Sequence, residues 1–259
     1  MIISKEVVES DAVAVSVGMF AFAYAQHLPS IMVAIGACAG FSAQLAVWKT
    51  LVQPADRDPG DFLCNARTKA GEAFVMGDAI NQFLWATLPD RLSFLSTAAG
   101  GLGDASELPD LAELARYVIQ TMGNETFGVP RYPRPGEYAE LPRIALKKVF
   151  PNVVRQFERD GHPVAHWPAL LGLIAWRIMN AKQNELKSAH AIAMLMESAV
   201  PMSRIDPSTM DTPRFDIDWK LGQRWGGRAM TSDTGQRAQL FADIHAALPS
   251  NLEQSARPA

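Results

Sequence analysis

From Ala12 to Trp48 the chain carries no Asp, Glu, Lys or Arg. So long an uncharged run must be hidden from water, either inside a helical core or inside a bilayer. Pro29 divides it, because a proline pushes the preceding residue out of the α region. The expectation is one helix from about Glu6 to Gln26 and a second from Ile31 to about Leu51, with Ser30 as its N-cap. Gly36, Gly40 and Ala43 fall three or four apart and share a helical face. Gly18, Ala14, Ala21 and Ala25 are further small positions. Small residues at that spacing let helix backbones approach closely, in a membrane dimer or in a crowded soluble core.

The core reading is preferred. Ser16, Gln26 and His27 interrupt the first segment, and Ser42 and Gln44 sit inside the second. No cluster of Lys or Arg flanks either segment to set an orientation. The opening MIISKEVVESD places acids where a signal peptide needs a basic region. Charged residues make up 20% of the chain and the net charge is −3; neither supplies the basic excess of a nucleic-acid footprint. Cys38 and Cys64 are the only cysteines. Two thiols without a framework read as reduced side chains in a cytoplasmic protein, and they fall short of a structural zinc site.

Beyond the uncharged run, residues 62–76 alternate and then break at Lys69-Ala70-Gly71-Glu72. This predicts a β-hairpin in preference to a single helix from Asp61 to Val75. Gly77-Asp78 marks a break and N-cap before a helix Ala79 to Thr87. Arg91 to Ala99, Ser106 to Gly123, Pro142 to Arg159, Pro168 to Lys182 and Glu185 to Ala199 carry helical spacing. In the last of these, Asn184 is the expected cap. The Gly100-Gly101-Leu102-Gly103 cluster lacks the lysine of a phosphate loop. After Met202 the composition turns to Pro, Asp, Thr, Ser and Gly. Residues 203–259 read as an arm anchored by Trp219 and Trp225, with one helix from about Asp233 to Ala247 and a free tail.

No motif announces chemistry. GxSxG and the dinucleotide fingerprint are absent. His162 and His166 are spaced for a metal on a helix face, but Pro163 and Pro168 place them in a turn; no metal or cofactor is expected. His190 reads as a packed core histidine. Residues 124–141 are the most unusual stretch, too long and too proline-rich for a connector. Within it Arg131, Tyr132, Arg134 and Tyr138 form a basic–aromatic surface that could grip an anion or a peptide, or else latch the loop to the body. Asp78, with Asn81 and with Arg67 on the hairpin, could form a second polar site.

These readings give a mainly α fold: a single-domain multi-helix bundle, residues 1–202, around buried small-residue-rich N-terminal helices, with a small β-hairpin and a partly irregular C-terminal arm, residues 203–259. The expected function is that of a bacterial-type, non-enzymatic protein that forms a homo-oligomer or binds a protein partner. The alternative is a small-ligand binder or enzyme with a cleft between the hairpin, Asp78 and the Arg131–Tyr138 loop. The third is a membrane-associated helical hairpin.

Overall fold

A computed structural model of the chain describes residues 11–55, 59–68, 70–86, 92–100, 108–132, 137–182 and 184–210, with side chains from residue 15. Arg134, most of the Gly100–Gly103 cluster and the expected arm elements beyond Met210, with Trp219 and Trp225, lie outside the described residues. The fold is mainly helical with one antiparallel hairpin. In chain order it comprises α1 (Asp11–Ala23), α2 (Leu28–Val47), β1 (Cys64–Arg67), β2 (Ala73–Met76), α3 (Asp78–Leu84), α4 (Phe94–Ala98), α5 (Leu111–Thr121), α6 (Pro142–Arg159), α7 (Trp167–Ala181) and α8 (Ser188–Met202).

Helix α2 is the hub. Every residue in it except Pro29 is buried, and it touches α3, α6, α7 and α8. It continues through one π turn, Trp48–Val52. The whole run Leu28–Val52 is long and apolar enough to cross a bilayer, and its most apolar window is 100% buried among the other elements. The glycine stripe sets its closest contact. A Cβ on Gly36 would lie 2.3 Å from the Leu195 carbonyl oxygen, and one on Gly40 would lie 2.0 Å from that of Ala199. Helices α2 and α8 therefore touch backbone to backbone, one turn apart on both partners, where any side chain would force them open. Phe41 closes the neighbouring contact, meeting Phe150 of α6 edge to face at 5.1 Å.

Helix α1 is peripheral by comparison. It buries Ser16 and Phe20, with Tyr24 buried just past its end, and turns Val15, Gly18 and Phe22 outward. Its exit is a tight reversal in which Ala25 and Gln26 take left-handed φ values of 46° and 62°.

The hairpin reading of residues 62–76 holds, with Cys64 opposite Met76 and Arg67 opposite Ala73. Gly71, at φ 88°, makes the turn. Helix α6 runs from Pro142 to Arg159 as expected and passes through Pro151 without ending.

Several caps differ from expectation. Pro29 lies inside the first turn of α2, where its missing N–H is not needed. The cap is thus His27 rather than Ser30. The freed Ser30 hydroxyl accepts from the Ala139 N–H at 2.8 Å and contacts His27 Nδ1 at 2.7 Å. Gly77 occupies the cap of α3, with Asp78 as the first helical residue. Asp110 caps α5 through the Glu113 N–H, and Lys187 rather than Asn184 precedes α8. Each shift follows from where the tertiary fold needs the first turn, a choice that local propensity does not fix.

The chain stays on the body past Met202. Arg204, Ile205, Pro207 and Met210 are buried. Ile205 bridges Phe74, and the Val75 N–H donates to the Arg204 carbonyl at 2.8 Å. Residues beyond α8 thus border the hairpin through one isolated antiparallel bridge.

Candidate functional site

The basic–aromatic loop is fastened at both ends. The Arg131 guanidinium binds Glu113 of α5 through two contacts, 2.6 and 2.9 Å, and Glu197 of α8 at 2.7 and 3.0 Å. Its backbone N–H donates to Glu197 as well, at 3.2 Å. Its plane lies 4.1 Å from the centre of the Tyr117 ring. The hydrogen bond to Glu113, helped by Glu197 and opposed by burial, raises the Arg131 pKa, and the same bond holds the Glu113 carboxyl below the usual carboxylate range. Two carboxylates and an aromatic face occupy this fork. Tyr132 packs on the His190 ring at 4.9 Å. At the far end Ala139 is tied to Ser30, and Glu140 accepts from Tyr24 Oη at 3.2 Å and from Lys148 at 2.8 Å. Burial, then Glu140, pushes the Tyr24 hydroxyl up, and burial pushes up that of half-buried Tyr138.

The turn histidines are also absorbed by packing. The His162 carbonyl accepts from Trp167 Nε1 at 2.9 Å, and its ring meets Phe157 edge to face. Burial, followed by neighbouring His162, lowers the His166 pKa. Among the described residues no group of three His, Cys, Asp or Glu side chains could hold a metal.

The second polar cluster has a cavity. A cleft of about 240 Å³ opens between the hairpin, the first turn of α3, one face of α5 and the end of α8. Asp61, Cys64, Asp78, Asn81 and Arg204 supply its polar lining; Leu63, Met76, Ala115, Val118, Ile119 and Val200 supply the apolar part. Gly77 keeps the wall thin, because a Cβ there would lie 2.2 Å from the Phe62 carbonyl oxygen. Of the expected partners, Asp78 and Asn81 are in place. Arg67 sits at the exposed far end of β1 and does not line the cleft, nor do the described residues of the 131–138 loop. The third wall comes instead from α5 and α8.

Arg204 replaces Arg67 as the cation. It is 7% exposed. Gln44 of α2 holds the backbone on both sides of it, donating to the Ser203 carbonyl at 3.3 Å and to that of Ile205 at 3.1 Å. Its Nη2 donates to Asn81 Oδ1, while Asn81 Nδ2 donates to Asp78 Oδ1 at 3.2 Å. Among the described residues, Arg204 makes no ion pair and its Nη1 has no hydrogen-bond partner. Burial drives its pKa down to about 10, against weaker support from Cys64 and Asp78. Burial raises the Cys64 thiol, a disfavoured state for a nucleophile. The site is thus a buried cation joined through one amide to an exposed carboxylate, beside an apolar wall.

No family model, curated protein sequence or solved structure matches this chain. Sequence reasoning missed Arg204 because it falls where the composition becomes arm-like. The available signal was its neighbour Ile205, followed by Met210, in an otherwise polar stretch.

Proposed function

We propose that this protein binds a small ligand carrying an anionic group in the cleft between the hairpin, α3, α5 and the end of α8. The observation that carries the reading is Arg204. Among the described residues this buried guanidinium makes no direct ion pair and leaves Nη1 without a hydrogen-bond partner; such a group is costly, and proteins normally pair or neutralise it. An anionic ligand group beside it supplies the missing compensation. The volume of about 240 Å³ lies below the roughly 300–1,000 Å³ of sites for drug-sized molecules, so the ligand is small. The test is calorimetric titration and thermal unfolding of the full chain with small carboxylates and inorganic phosphate. At least one small carboxylate, amino acids included, should bind saturably, and Ala115→Phe, which fills the cleft from α5, should remove that binding. Binding that survives Ala115→Phe would place the ligand elsewhere and sink the reading.

A second reading, self-association, is favoured by the outward face of α1. Val15, Gly18 and Phe22 form one exposed stripe, with Phe22 91% exposed. A contiguous apolar face of this kind marks an interaction surface. Light scattering behind size exclusion would reveal an oligomer that Phe22→Asp converts to monomer; an unchanged mass in the variant would count against the stripe.

A further inference from the structure

We infer that the ligand of the cleft is a small aliphatic α-amino acid, its carboxylate compensating Arg204 and its ammonium group held by Asp78. The inference rests on the cleft reading and specifies its chemistry.

The charge arrangement excludes the simpler classes. Two exposed carboxylates, Asp61 and Asp78, line the same cleft as the one cation. A phosphate or a dicarboxylate would find Arg204 but would also face both acids. A plain amine would gain from the acids and leave the buried guanidinium as it was. A zwitterion with its two charges close together satisfies both sides at once. Asn81 sets the two poles apart by the span of one side-chain amide: its Oδ1 accepts from Arg204 and its Nδ2 donates to Asp78. The short carboxylate-to-ammonium spacing of an α-amino acid suits such poles. The rest of the lining chooses the side chain. Ala115, Val118, Ile119 and Val200 form a wall without a hydrogen-bonding side chain, matched to a branched aliphatic group.

The test uses the full chain near neutral pH, titrated with L-leucine, 4-methylpentanoate, isoamylamine and inorganic phosphate. The two organic analogues keep the leucine side chain and lack one charge each. L-leucine should bind saturably at one site per chain, with each analogue about ten-fold weaker or worse, the loss of one charge-assisted contact. Asp78→Asn, a surface change, should weaken L-leucine about ten-fold and should not weaken 4-methylpentanoate, which then faces one acid fewer.

If either analogue matches L-leucine, or if Asp78→Asn leaves L-leucine binding intact, the zwitterion inference falls. The cleft reading survives those results provided Ala115→Phe abolishes whatever binding is seen. If none of the four probes binds, or if Ala115→Phe binds as the parent does, the cleft reading falls and takes the inference with it.

Discussion

Two arginines carry the contrast between holding the fold and serving a site. Arg131 is bound by Glu113 and Glu197 and stacked on Tyr117. Arg131→Met should lower stability by on the order of 1–3 kcal/mol. That is less than the ~3–5 kcal/mol of a fully buried pair, because solvent reaches part of the cluster. Denaturant unfolding checks it. Among the described residues Arg204 has no carboxylate partner, so Arg204→Met should leave the melting temperature unchanged or raise it, while abolishing ligand binding. Glu113 gives a pH signature. Its folded pKa is depressed, so its contribution is present above the unfolded value of about 4.3 and is lost as pH falls through the lower folded value. Melting curves of Glu113→Gln and the parent should differ slightly near pH 7 and converge below about pH 4. Divergence on acidification would refute the assignment. The sequence left Arg131 between gripping an anion or peptide and belonging to a loop latched to the body, because its carboxylates lie 18 and 66 residues away. Spacing along a chain exposes helix-face neighbours, not such partners.

At the scale of elements, glycines of the two N-terminal helices yield opposite expectations. Gly40→Ala drives a methyl into the Ala199 carbonyl. The obstacle is backbone, so the two helices must part. The expected loss is toward the upper end of the ~1–3 kcal/mol seen for overpacking. At Gly18 nothing lies within 4 Å, and Gly18→Ala should stabilise α1 by about 0.5–1 kcal/mol. Chemical denaturation of both variants decides the matter; equal effects would mean that the stripe has no special contact. The hub was legible because absence of charge is a strong statement about burial. The hairpin was legible from alternation and from Gly71. The α1 exit was not, since Ala25 and Gln26 adopt left-handed backbone that neither residue type advertises. The cleft was half legible: Asp78 and Asn81 are one helical turn apart in sequence, whereas α5, α8 and Arg204 join them only through packing.

For the whole molecule, the packed body does not stop where the composition changes. Residues 203–210 complete the cleft and border the hairpin. A chain ending at Met210 should keep a single cooperative unfolding transition. One ending at Met202 loses Arg204, Ile205 and the clasp from Gln44, and should melt lower and less sharply by circular dichroism. Equal melts would show that residues 203–210 contribute nothing. The enclosure of α2 also has a consequence in time. Its most intimate cover, α8, is made about 150 residues later. At ~5–20 residues per second that is a delay of roughly 8–30 s. For that interval a nascent chain displays Leu28–Val52, a segment apolar enough for a bilayer, without α8 to cover it. Its synthesis therefore makes a demand that the finished protein does not: the ribosome and its attendant factors must shield one helix until α8 emerges.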